Sequence, residues 1–165
     1  MSEEAITFTS RYDRRKCLMA AWRFWQRRMG KRYFLELVIG SGLIVFATQG
    51  PYRWLEIALW IAVGLFAALG AGVFLLHWQR ALAGLAALAP PESTWILSES
   101  FIGQRSNLGE SAIGWEQLHE VWCFPEVWLL FWGRDVYSAV PTDGLPREAQ
   151  ELIRRRVRET AGRVR

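Results

Sequence analysis

The sequence predicts a membrane-bound α+β protein: an amino-terminal interfacial helix, a two-helix transmembrane hairpin, then a small antiparallel β domain with a carboxyl-terminal amphipathic helix. Three observations predict it. Residues 57–76, IALWIAVGLFAALGAGVFLL, run for twenty positions without a charge. Residues 14–32, RRKCLMAAWRFWQRRMGKR, hold eight basic side chains, two tryptophans and no acid. Residues 94–140 break into short aromatic or β-branched runs with turn residues between them.

Charge placement orders the chain before any element is assigned. The net charge is +4, yet outside residues 14–32 twelve basic residues face sixteen acids. The excess of positive charge is therefore one block, a local surface feature. Ten tryptophans in 165 residues fit a bilayer boundary, where an amphipathic ring has one apolar and one wet side. Cys17 and Cys123 form no CxxC spacing, and His77 and His119 are too few for a metal cluster. Charged residues occupy the first 32 positions ahead of any apolar run, so no cleavable signal is expected.

Residues 1–32 read as a short extended start, ITFTSRYD, followed by the basic helix. On a helical wheel Leu18, Trp22, Trp25 and Met29 share one face, and Lys16, Arg23, Arg27 and Lys31 the opposite one. An apolar stripe with a cationic back, just ahead of a span, describes a helix in the headgroup layer, and these eight residues are the expected membrane-surface contacts. Nucleic acid would attract the charges but leaves the apolar stripe unexplained.

Residues 33–89 read as the hairpin with a helical extension. The second span, residues 57–76, is ~30 Å long at 1.5 Å per residue, a hydrocarbon core's thickness, with Trp54 and Trp78 as anchors. The first apolar run, residues 33–49, carries Glu36 near its start. Gly50-Pro51-Tyr52-Arg53 is a turn short enough to make the two neighbours antiparallel. Eight basic residues precede the first run and only Arg53 lies in the turn, so the positive-inside rule predicts a two-pass protein of the bacterial inner membrane with both termini cytoplasmic. Gly64, Ala68 and Gly72 recur every fourth residue and are expected to pack against Gly40, with self-association as the alternative. Glu36 and His77 fall near the same end of the two spans and are a candidate intramembrane pair.

Residues 90–165 read as the cytoplasmic β domain. Its expected strands are TWILS, FIGQR, SAIGW, LHEVWCF, VWLLFW and VYSAV, with turns at Ser106-Asn107, Pro125-Glu126 and Gly133-Arg134-Asp135. Pro146 suits a first helical position, and Ala149, Leu152, Ile153 and Val157 make the apolar stripe of the closing helix. Such a sheet and helix resemble a reduced pleckstrin-homology-like (PH-like) barrel. In VWLLFW both faces are apolar where a half-wet sheet alternates. Either the closing helix and interior cover both, or Trp128, Leu130 and Trp132 form a surface for a protein partner, a second copy or the bilayer.

The whole arrangement resembles the YcxB-like family of small bacterial membrane proteins. The resemblance rests on ITFTSRYD, the apolar hairpin, and IGWEQLHEVWCFPEVWLLFWGRDVYSAVP, where Ile113, Trp115, Leu118 and Val121 precede a strand and then Val140-Pro141. Members commonly place a basic residue after that proline; here it is Thr142. The resemblance implies a membrane-anchored cytoplasmic module and supplies no catalytic residues.

Site chemistry is sparse. The sequence holds no Gly-rich phosphate loop outside the apolar span, and no GxSxG, HExxH or paired-carboxylate arrangement. From Trp95 to Pro141 only Arg105 and Arg134 face six acids, the wrong balance for a phosphate-binding loop. The expectation is a membrane-anchored cytoplasmic interaction or regulatory module, without catalysis, cofactor, metal or nucleic acid. Its expected partners are a bilayer with anionic headgroups and either a protein partner or further copies of the chain in a homo-oligomer. The alternative is a small translocator working through Glu36 and His77.

Overall fold

Alternation in ITFTSR makes Ile6–Arg11 a strand, β1, whose Phe8 and Ser10 point inward. The computed structural model describes residues 5–47, 53–133, 136–160 and 162–165, without the side chains of residues 31, 32 and 47. The turns expected at Gly50-Pro51-Tyr52 and Arg134-Asp135, and the side chain of Lys31, lie outside the described residues. The chain forms two units: Met1–Ala20 with Arg80–Arg165, and Ala21–Gln79.

The first unit is built on two four-stranded sheets. β1 pairs antiparallel with β2 (Glu92–Leu97), and β3 (Phe101–Ser106) and β4 (Gly109–Gly114) follow in order. The second sheet contains β5 (Glu120–Cys123), β6 (Val127–Phe131), β7 (Tyr137–Pro141) and β8 (Arg163–Val164), in the order β7-β6-β5-β8. The expectation of one small antiparallel sheet is thereby corrected. The described residues form two sheets; the first recruits β1 from before the helical region, and the second is mixed because β8 runs parallel to β5. A two-residue strand held by Cys123 N–H on Arg165 O and Arg165 N–H on Val121 O leaves no periodicity to read.

Apolar side chains from both sheets meet in one core with Trp95, Leu97, Trp115, Leu118, Val121, Trp128 and Leu130. The closing helix α3 (Arg147–Glu159) begins after Pro146 and buries Ala149, Leu152, Ile153 and Val157 against it. Trp115 sits in a 3₁₀ turn (Trp115–Gln117) and donates its indole N–H to Ser98 O at 3.0 Å. Asn107, in the β3–β4 turn, donates to Ala87 O at 3.0 Å and accepts from Ala89 N–H at 3.2 Å, which holds the chain leaving the helical region.

On the other face of the second sheet Trp122, Phe131 and Tyr137 form an aromatic row, with centroids 4.5 and 5.5 Å apart. Burial, with the Cys17 thiol as the smaller cause, pushes the Tyr137 hydroxyl up to about 12. Between about pH 10 and 12 the unfolded chain releases this proton and the folded one keeps it, so folding stability falls as pH rises through that window. The full difference is about 2–3 kcal/mol. Tyr137→Phe should flatten the alkaline decline in chemical-denaturation midpoints relative to wild type; an unchanged slope would place the phenol in solvent.

The second unit is helical. Helix α1 (Arg14–Ala47) is started by Asp13, whose Oδ1 accepts Lys16 N–H at 2.7 Å. Lys16 also donates through Nζ to Arg11 O at 2.9 Å and to Asp143 Oδ2 at 2.7 Å, which fixes the start of α1 to the strands. At Gly30 the backbone turns to φ 54°, ψ −161°, a conformation glycine takes without a Cβ penalty, and α1 breaks into arms of residues 14–29 and 31–47. Helix α2 (Arg53–Ala87) is continuous over 35 residues.

This corrects the expected two-helix transmembrane hairpin. Among the described residues only α2 is long and apolar enough to cross a membrane. The other arm offers an apolar stretch from Tyr33 to Phe46, ~21 Å at 1.5 Å per residue and short of a ~30 Å core.

Candidate membrane interface

Much of the outward surface of the second unit along α2 and residues 34–46 is apolar. Phe34, Val38, Phe46, Trp60, Leu65 and Leu69 are each more than half exposed. Only 6% of the most apolar 18-residue stretch of α2 is buried within the protein. Monomeric soluble proteins rarely expose an apolar patch above a few hundred Å². Isolated in water, this surface would be a continuous liability; against lipid chains it is matched.

Inside the unit, residues 31–47 run back along α2. Tyr33 stacks on Phe66 with centroids 4.9 Å apart, and its hydroxyl donates to Phe66 O or Ala67 O, each at 3.2 Å. Further along, Gly40 lies so near Val63 that an added Cβ would sit 3.0 Å from its Cγ2. Gly70 is buried, and a Cβ there would run into the Tyr33 ring and hydroxyl. Gly64, Ala68 and Gly72 are exposed, and at the two glycines an added Cβ would meet nothing within 4 Å. The seam is thus made by Gly40 and Gly70, not by the Gly64–Ala68–Gly72 row. Which glycines matter depends on the helix rotation, and spacing alone does not give it.

Gly70→Ala should therefore displace Tyr33, lose its hydroxyl contacts and cost about 1–3 kcal/mol by overpacking. Gly72→Ala should cost nothing comparable, since space is open there. Thermal unfolding in detergent separates the two; equal effects would contradict this seam.

The arm before Gly30 meets α2 differently. Trp22 packs edge-on against Phe74 at 6.1 Å, Phe24 against His77 at 4.5 Å, and Trp25 donates its indole N–H to Gly70 O at 2.9 Å. Trp22 and Trp25 stack with centroids 5.3 Å apart. Of the expected surface contacts, Trp25 is therefore a buried packing residue, while Leu18 and Trp22 are 41% and 45% exposed. Met29 is half-buried, and Arg23 and Arg27 line the polar side. Lys16 is engaged by Asp143 rather than directed to a surface.

Glu36 lines an apolar groove with Leu37, Gly40, Leu59, Ala62, Val63 and Phe66, of about 330 Å³. His77 lies against Phe24 instead. From Phe66 to His77 along α2 is eleven residues, ~16 Å, so the structure does not bring Glu36 and His77 together. Trp128 and Leu130 lie in the β core at 3% and 0% exposure, and Trp132 packs on it with its indole N–H on Ser138 Oγ at 2.9 Å. Arg154 covers the Trp128 ring at 4.9 Å. The doubly apolar strand VWLLF is explained by burial of both its faces.

Compared with protein-family models, with curated proteins and with solved structures, the chain matches none.

Proposed function

We propose that this protein is a membrane-anchored interaction or regulatory module without catalytic activity, held by α2 and presenting its β unit on the cytoplasmic side of a bacterial inner membrane. The observation that carries the reading is the exposed, uncharged stretch of α2 at residues 57–76, which only an apolar medium covers at acceptable cost. The side is inferred from the basic residues of the first arm. β1 and β2 are hydrogen-bonded partners, so the strands before and after the helical stretch belong to one sheet. The resemblance to the YcxB-like family points the same way, on sequence features alone.

The interaction role draws on β4. It is the last strand of its sheet, and Gly109–Ala112 are exposed along it. An open edge is a template on which another chain adds a strand. The test is affinity capture of the tagged protein from membranes in mild detergent, beside Ala112→Lys, which blunts the edge. A partner held by wild type and lost from the variant supports the module. Wild type that washes out of membranes with carbonate overturns the anchor, and capture of nothing overturns the interaction role.

A further inference from the structure

β5 has two unequal neighbours. β6 pairs with it antiparallel from Glu120 to Cys123, whereas β8 pairs with it parallel over Glu120 and Val121. Main-chain bonds hold residues 163–165 there: Arg163 N–H on His119 O at 3.0 Å, Arg165 N–H on Val121 O at 2.9 Å, and Cys123 N–H on Arg165 O at 2.8 Å. Partners in register share a face of the sheet. Val164, beside Val121, is half-buried against the core. Arg163 and Arg165 are exposed on the face of Glu120, whose Oε1 is buried 2.9 Å from Arg165 Nε.

The hold on β8 is slight. Each main-chain bond replaces a bond to water at small net gain, and fixing residues 162–165 costs backbone entropy. An ion pair at the surface adds little. The turn into β8 is tight as well. Gly162 N–H meets Val157 O at 2.8 Å, and an added Cβ would lie 2.7 Å from Val157 Cγ1 and 3.0 Å from Leu118 O. β8 therefore opens at low cost, and opening releases His119 O, Val121 O and Cys123 N–H together with the Glu120 carboxylate. A released edge is a template for another strand. β8 itself shows what that template accepts.

We infer that the β5 edge is a strand-docking site, covered by β8 at rest, for an extended segment of a partner protein. That segment runs parallel to β5 and carries a branched apolar residue between two cations. The apolar residue takes the place of Val164, and the cation after it meets the buried oxygen of Glu120. The inference rests on the interaction role proposed above and draws on neither the anchor nor β4. β8 competes in cis, so a partner binds only to the fraction of molecules in which β8 has opened.

The test is NMR of the full chain in mild detergent, in two readings. In wild type the amides of Cys123 and Arg165 should exchange with solvent at least about tenfold faster than those of Leu129 and Leu130 in β6. The second reading uses Val164→Asp, which sets a carboxylate against the core and unseats β8 while leaving β5 intact; Gly162→Ala should act the same way. The peptide Ser-Gly-Arg-Val-Arg-Ser, titrated to millimolar concentration, should shift the amides of His119 to Cys123 saturably. Wild type should bind it roughly tenfold more weakly, because β8 is mostly closed. Adding Glu120→Gln to Val164→Asp should weaken binding roughly threefold. Exchange as slow at Cys123 and Arg165 as in β6 would make β8 a permanent strand and overturn the inference. Equal shifts from a peptide with Asp in place of Val would reduce the effect to charge and overturn the site. Shifts at Gly109 to Ala112 instead would overturn the site and leave the interaction role standing on β4. Broadening of the His119–Cys123 amides with protein concentration alone would give the edge to a second copy's β8 and overturn the foreign partner.

Discussion

Trp115→Ala should be the most damaging substitution in the β unit, costing about 3–5 kcal/mol. The side chain is 1% exposed and touches a core shared by both sheets and α3. Its removal leaves a cavity and also strips Ser98 O of its donor. The neighbouring turn gives little room for collapse, because Leu118 N–H is bonded to Trp115 O at 3.0 Å. In a unit of about 100 residues, each kcal/mol lowers Tm by about 4–8 °C. Near-UV circular dichroism of the detergent-solubilised protein should show a Tm fall of roughly 15 °C or more. Trp115→Phe, which keeps most of the ring volume and loses only the hydrogen bond, should recover more than half. A Tm within a few degrees of wild type for the alanine variant would remove Trp115 from the core.

The second large effect is expected in the helical unit. Leu65→Arg should expel α2 from the bilayer, because an arginine at the centre of an inserted helix costs about 2.5–3.5 kcal/mol, on the order of a hundredfold in partition. Leu65 is 67% exposed and nearly midway along residues 57–76. In water the same change replaces an exposed leucine by a soluble residue and improves behaviour, so the two environments predict opposite signs. Gln79→Arg, beyond the apolar stretch and beside Arg80, is the control and should partition as wild type does. Carbonate extraction of membranes followed by quantitative blotting measures both. Undiminished retention of Leu65→Arg would show that this face of α2 does not meet hydrocarbon.

The strands were legible wherever their signal was local. Glu92–Leu97, Phe101–Ser106 and Val127–Phe131 fall within two residues of their apolar runs, since turn residues such as Ser106-Asn107 punctuate them. The stripe Ala149, Leu152, Ile153 and Val157 is buried as its spacing requires. What was not legible is long-range. Nothing in ITFTSR names β2 as its partner, and nothing in Arg163-Val164 names β5. The two-helix hairpin fails on length: the arm after Gly30 offers Tyr33–Phe46 as its apolar stretch, short of a hydrocarbon core. At the interface, Leu18 and Trp22 are exposed on the arm while Trp25 is taken up by Gly70. A helical wheel cannot separate Trp22 from Trp25, because they differ only in what packs against them.

The pairing of Ile6 with Leu97 has a consequence for the order in which the molecule assembles. β1 cannot meet its neighbour until residues 12–91, most of them helical, have been made and β2 exists. Closing a loop that long is entropically costly and grows only slowly with length, so early folding of the helices, which doubles the chain back on itself, shortens the search. Until then Phe8 and a bare strand edge stand open to other chains. A nascent chain stalled before residue 92 has its helices but not its first sheet, whose formation waits on β2.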